Sequence, residues 1–118
     1  MQSRYEDITS YITKDGSSIK ELMHPDNHAN NNQSLAEATV PPGVKTALHY
    51  HVKSEEIYHI TRGKGDMTLG NNTFTVGVGD TILIRPNTPH QILNTEKSDL
   101  VFLCVCSPAY SHEDTILI

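Results

Sequence analysis

The sequence predicts an all-β chain folded as a single barrel domain. Three observations carry that expectation. From residue 35 to residue 106, short β-branched runs alternate with Gly, Pro and Asn turn signals at close spacing. Nothing in that stretch reads as a helix. Many short strands with no long polar edge point to a closed or doubly layered sheet, which removes the exposed edges that invite aggregation. The length, 118 residues, fits one domain and is enough to bury a proper core.

Three segments follow from composition. Residues 1–34 form an N-terminal region of short strands followed by a polar loop. Between Asp7 and Met23, apolar and polar residues mix, and Gly16 breaks the segment into two pieces. His24 to Ser34 is asparagine-rich and reads as an exposed loop. Residues 35–106 carry the barrel. Its expected strands are Leu35 to Val40, stopped by Pro41-Pro42-Gly43; Lys45 to Val52, turned by Lys53-Ser54-Glu55; and Glu56 to Thr61, followed by a hairpin turn at Gly63-Lys64-Gly65. Asp66 to Leu69 and Thr73 to Val76 flank the hairpin signal Gly70-Asn71-Asn72. Thr81 to Ile84, His90 to Asn94 and Asp99 to Cys106 complete the set. Residues 107–118 are a polar, turn-like tail whose last residues, Thr115 to Ile118, are placed to dock as a short final strand.

Composition excludes several function classes. Net charge is −5 with histidine neutral, and no Lys/Arg cluster exists, so the basic face that nucleic acid requires is missing. No apolar run approaches the roughly 20 residues of a membrane helix. The N-terminus lacks a signal-type apolar stretch, which gives a cytoplasmic expectation. Cys104 and Cys106 lie two apart in an apolar strand, poor geometry for a mutual disulfide, and read as small buried hydrophobes. No glycine-rich phosphate loop and no hydrolase nucleophile arrangement is present.

The chemistry lies in the histidines. His49 and His51 are two apart in a strand, so both rings point to one face and Tyr50 to the other. Glu56 opens the next strand; pairing back antiparallel would turn it to the same interior. Tyr58 and Ile60 then share that interior, and Ile57 and His59 face outward. His90 follows Pro89 on a distant strand. Three neutral imidazoles and one carboxylate suit one divalent transition metal (Mn, Fe, Ni, Zn or Cu) with open coordination. His24, His28, His59 and His112 have no ligand role; loop and tail positions are taken as solvated, as is the pair Glu113-Asp114. Glu55 and Glu56 point to opposite sides and form no acid–base couple.

These residues stand in a known frame. Gly43-x5-His49-x-His51-x4-Glu56-x6-Gly63 resembles the first motif of the cupin family at every position. Gly79-x5-Arg85-x-Asn87-x2-His90-x3-Asn94 resembles the second, with Arg85 where proline is usual and Asn87 where glycine is usual. Asparagine tolerates the left-handed conformation a tight turn requires. Arg85 either places a cation near the barrel mouth or is a solvated loop residue. The resemblance, to small single-domain cupins, implies a jelly-roll barrel of six or more strands with a metal inside, and a homodimer, to which the N-terminal region within residues 1–34, with no place in the motif-bearing barrel, is the expected contributor.

Two functions follow as expectations. One is a metal-dependent enzyme (isomerase, dioxygenase, decarboxylase or lyase) acting on a small polar or anionic, sugar- or carboxylate-like molecule, with Tyr58 as the catalytic candidate. Tyr58 either contacts that ligand or packs in the core with its hydroxyl satisfied. The alternative is a non-catalytic binding or sensor module.

Overall fold

The computed structural model describes all 118 residues. Its strands are β1 (Tyr11–Ile12), β2 (Ser18–Met23), β3 (Ser34–Val40), β4 (His49–His51), β5 (Glu55–Arg62), β6 (Lys64–Leu69), β7 (Asn72–Gly77), β8 (Thr81–Ile84), β9 (His90–Asn94), β10 (Leu100–Ser107) and β11 (Thr115–Leu117). The only helical element is a 3-10 turn at Tyr5–Asp7.

The strands form two antiparallel sheets. One runs β1-β2-β3-β10-β5-β8, the other β11-β4-β9-β6-β7. Side chains that alternate inward along each strand fill the space between them. In β3, Ser34, Ala36, Ala38 and Val40 are buried while the residues between them are half-exposed. Ile60, Met67, Ile84, Ile92, Leu100 and Phe102 are the large side chains most fully enclosed. No helix of the chain is long and apolar enough to cross a membrane.

Four expectations change. The Lys45–Val52 run is a strand only over His49–His51, with an isolated bridge from Lys45 to Leu93. β4 and β5 do not pair; β4 lies between β11 and β9, and β5 between β10 and β8, so the two strands belong to facing sheets. Gly63 is therefore not part of a hairpin turn. It is the corner where the chain leaves one sheet for the other, with φ +83 and the position of a Cβ only 2.7 Å from the Asp99 carbonyl oxygen. Finally, the first 23 residues have a place in the barrel sheet: β2 pairs along β3, and Ile19 joins the core.

Other features agree. A hairpin joins β6 to β7 as expected, with a turn of Gly70-Asn71 only, because Asn72 already pairs with Leu69. Asn87 has φ 63, as its glycine-like position requires, and Arg85 is exposed. Asn94 is fully buried; its amide donates to the carbonyls of Val40 and Ser98, and its oxygen accepts the N–H of Glu96. It ties the β9–β10 loop to the end of β3.

Candidate metal centre

β4 turns His49 and His51 inward, and β9 begins with His90, the register partner of His49. All three rings are buried, with centroids 4.2 Å apart for His49–His90, 5.1 Å for His49–His51 and 5.4 Å for His51–His90. A potential ligand nitrogen of each ring lies within 4.8 Å of the other two. Three histidines so placed can hold a metal ion.

The outer face of each ring is tied down. Nδ1 of His49 is 2.8 Å from the Ala47 carbonyl oxygen, and Nδ1 of His90 is 2.9 Å from that of Thr88. A carbonyl can only accept, so both Nδ1 atoms carry the proton and both Nε2 atoms are bare. Nδ1 of His51 is 3.0 Å from Thr115 Oγ1. That hydroxyl gives its proton to the Ser111 carbonyl at 2.9 Å, so it accepts from His51. Three fixed tautomers thus direct three bare Nε2 atoms inward, the arrangement that orients metal ligands.

Glu56 arrives from β5 in the facing sheet. Its Oε1 is 3.1 Å from Nε2 of His51 and 3.5 Å from Nε2 of His90. Burial alone would raise this carboxyl; positive charge on the side of His51 and His90 outweighs it and holds it down at about 2. Its other oxygen accepts the Cys106 thiol at 3.2 Å. Burial lowers His49 below its ordinary value, so the ring is held neutral.

The cavity beside these residues is lined also by Tyr58, Tyr110, Asp15 and Glu21. Tyr58 is inward as its strand parity predicted, stacked on Phe102 at 4.5 Å and edge-on to His90 at 6.0 Å. Burial first, then the charge of Glu56, pushes its phenol well up. Both thiols are pushed up in the same way, so Cys106 is a donor that orients Glu56 rather than a plain buried hydrophobe.

Several residues escaped the sequence reading. Asp15 sits in the β1–β2 turn with Oδ2 3.9 Å from His49 Nε2. Thr115 and Tyr110 come from the tail, and Tyr110 stands edge-on to His51 at 5.9 Å. The Asp15-Gly16 pair signals a turn but not where that turn lands. His59 and His112 are exposed, as expected. His24 is not: it is buried, with Nδ1 accepting the Asp26 N–H and Nε2 donating to the Tyr110 carbonyl. His28 is half-buried beneath the same turn, accepting the His24 N–H. Asp114 is not a free tail group either; its carboxylate accepts the N–H groups of Lys53 and Ser54.

Residues 36–106, which run from within β3 to within β10 and carry all four inward groups, match the family model described as the cupin domain. The chain belongs to the cupin family. Members of that family commonly bind metal ions. This cupin is 55% identical to an uncharacterized protein of Methanocaldococcus jannaschii over 98% of its own length and 92% of that protein's. It is 34% identical to an oxalate-binding protein of Thermotoga maritima, over 73% of this chain and 67% of that one. A Streptomyces nucleoside dehydratase, Pac13, superposes with a TM-score of 0.82 over 100% of this cupin and 90% of that chain, at 17% identity. That last likeness shows shared fold alone.

Proposed function

We propose that this cupin is a metal-dependent enzyme for a small polar or anionic molecule, its divalent transition metal held by His49, His51, Glu56 and His90. One observation carries the reading. With Nδ1 of His51 committed to Thr115, the bare Nε2 and the Glu56 carboxylate face each other at 3.1 Å, lone pair against lone pair. A positive charge must lie between them. A proton satisfies that pair only and leaves Nε2 of His90, fully buried, with no hydrogen-bond partner. A divalent cation satisfies all the inward atoms at once, and the donor set suits a first-row ion.

Such an ion supplies Lewis acidity in an enclosed site. The chain does the rest. Thr115 and the carbonyls of Ala47 and Thr88 hold the imidazoles in orientation, and Cys106 holds Glu56. Tyr58 offers a protonated phenol to an oxygen of the bound molecule. A second reading, a non-catalytic binding module, is favoured by the burial that keeps Tyr58 and both thiols protonated. The chain is further proposed to work as a cytoplasmic homodimer, pairing through apolar side chains that the barrel leaves exposed, such as Tyr11 and Ile12 of β1. A monomer at micromolar concentration in sedimentation removes that part.

Elemental analysis of the purified protein tests the metal: about one equivalent per chain is expected, and a chain that neither carries nor takes up any divalent metal refutes the site. Tyr58→Phe separates the two functions. Turnover in a metabolite screen that disappears in the variant, with metal content unchanged, supports catalysis; turnover that survives removes Tyr58 from the chemistry.

A further inference from the structure

The metal reading leaves one side of the cavity unexplained. The turn between β1 and β2 is built around Asp15. Its Oδ1 accepts three hydrogen bonds, from Thr13 Oγ1 at 2.6 Å, Ser17 N–H at 3.0 Å and Ser17 Oγ at 2.6 Å. The turn is fixed to the barrel by the Ala47 N–H, which donates to the Asp15 carbonyl at 2.8 Å, two residues before His49. Oδ2 is left facing the histidines, 3.9 Å from His49 Nε2. Donor atoms around a first-row ion with bonds of about 2.1 Å stand roughly 3–4 Å apart, so this oxygen stands at ligand spacing from His49, at the edge of the three-histidine cluster.

Charge gives the placement its meaning. A divalent ion with Glu56 alone carries one net positive charge and attracts an anion. With Asp15 beside it the net charge is zero. Glu21 adds a third carboxyl to the lining, and no lysine or arginine contributes to it. An anionic ligand would meet no fixed cation except the neutralised metal.

We propose that Asp15 is a second carboxylate of the metal site, delivered by the N-terminal hairpin, and that it selects uncharged hydroxyl- or carbonyl-bearing molecules over anions such as oxalate. This rests on the metal reading above and narrows the class of ligand it allows.

The test uses the whole protein stripped with chelator and reloaded with cobalt(II). Cobalt affinity is measured by competition with a chelator. The visible cobalt spectrum then follows titration with oxalate and with dihydroxyacetone. Asp15→Asn keeps the Oδ1 acceptor that holds the turn and removes the charge. Wild type is expected to respond to dihydroxyacetone at lower concentration than to oxalate. Asp15→Asn is expected to bind cobalt about tenfold more weakly and to take oxalate about tenfold more tightly. Wild type preferring oxalate overturns the selection, whatever the variant does. Equal cobalt affinity in the two proteins overturns the role of Asp15 at the metal. A wild-type chain that binds no cobalt fails earlier, at the metal reading itself, and is distinguishable from both.

Discussion

The cavity has two unlike walls. One is the motif wall, where His49, His51 and His90 enter from adjacent strands of one sheet and Glu56 from the strand facing them. Each imidazole there is aimed by strand alternation and locked by a bond to the back of its ring, and Glu56 is held by the Cys106 thiol. The other wall is made by the two ends of the chain. The Thr13–Ser17 turn and the 110–115 segment meet through Lys14, whose ammonium donates to the carbonyls of His112 and Thr115 at 2.9 Å each. The motif wall is rigid sheet; the end wall is turn structure held by a few polar bonds. A scaffold of this kind keeps ligand geometry in the sheet and leaves selection to segments free to vary.

The strongest way to break that contrast is to remove a histidine from the motif wall. His90→Ala should abolish metal binding while leaving the β-rich circular dichroism intact. A ligand present at 1,000 times its dissociation constant stabilises the folded state by about 4 kcal/mol, or on the order of 10 °C or more in Tm for a domain of this size. Chelation should lower the Tm of wild type by about that much and leave His90→Ala unmoved. Equal responses to chelator would mean that the buried histidines hold no ion.

A smaller effect is expected where the two walls touch. Thr115 belongs to the tail, yet its hydroxyl fixes the tautomer of His51. Thr115→Val preserves shape and removes that acceptor, so metal affinity should fall about 10–100-fold. Thr115→Ser should restore it. A valine variant with full affinity and only a lowered Tm would reduce Thr115 to packing. Pairs such as this explain what could be read from the chain alone. His49 and His51 were legible because alternation is a local rule, and Glu56 and His90 because their spacing within the motifs is fixed. The reason given for Glu56 was nevertheless wrong: it reaches the site from the facing sheet, not from a hairpin partner of β4. Thr115 and Asp15 were illegible. His51 and Thr115 lie 64 residues apart, and no local pattern reports which loop will close over which end of a barrel. Gly63 shows the same boundary, since a glycine that turns a hairpin and one that turns a sheet corner look alike in sequence.

The least effect, and the sharpest test of how enclosed the end wall is, concerns Glu21. Its Oε1 accepts the Tyr11 hydroxyl at 2.8 Å, while Oε2 is buried with no partner. Burial pushes its carboxyl above the ordinary 4.5; bonding from Tyr11 pulls it down, and the charges of Asp26 and Glu56 push with the burial. A carboxyl raised in the folded state favours folding of its protonated form. That contribution is whole below the unfolded value and is lost as pH rises through the folded one, after which the buried charge is a cost. Glu21→Gln carries no such charge. In chelated protein, where metal ligation cannot interfere, the Tm of the variant relative to wild type should therefore rise between pH 4 and pH 7. The rise should be small, a degree or two, because Glu21 is only partly enclosed. A difference that stays flat would show that water reaches Oε2 freely. The two chain ends would then be a loose flap rather than a wall, and a carboxylate on that flap would have little hold over what the cavity admits.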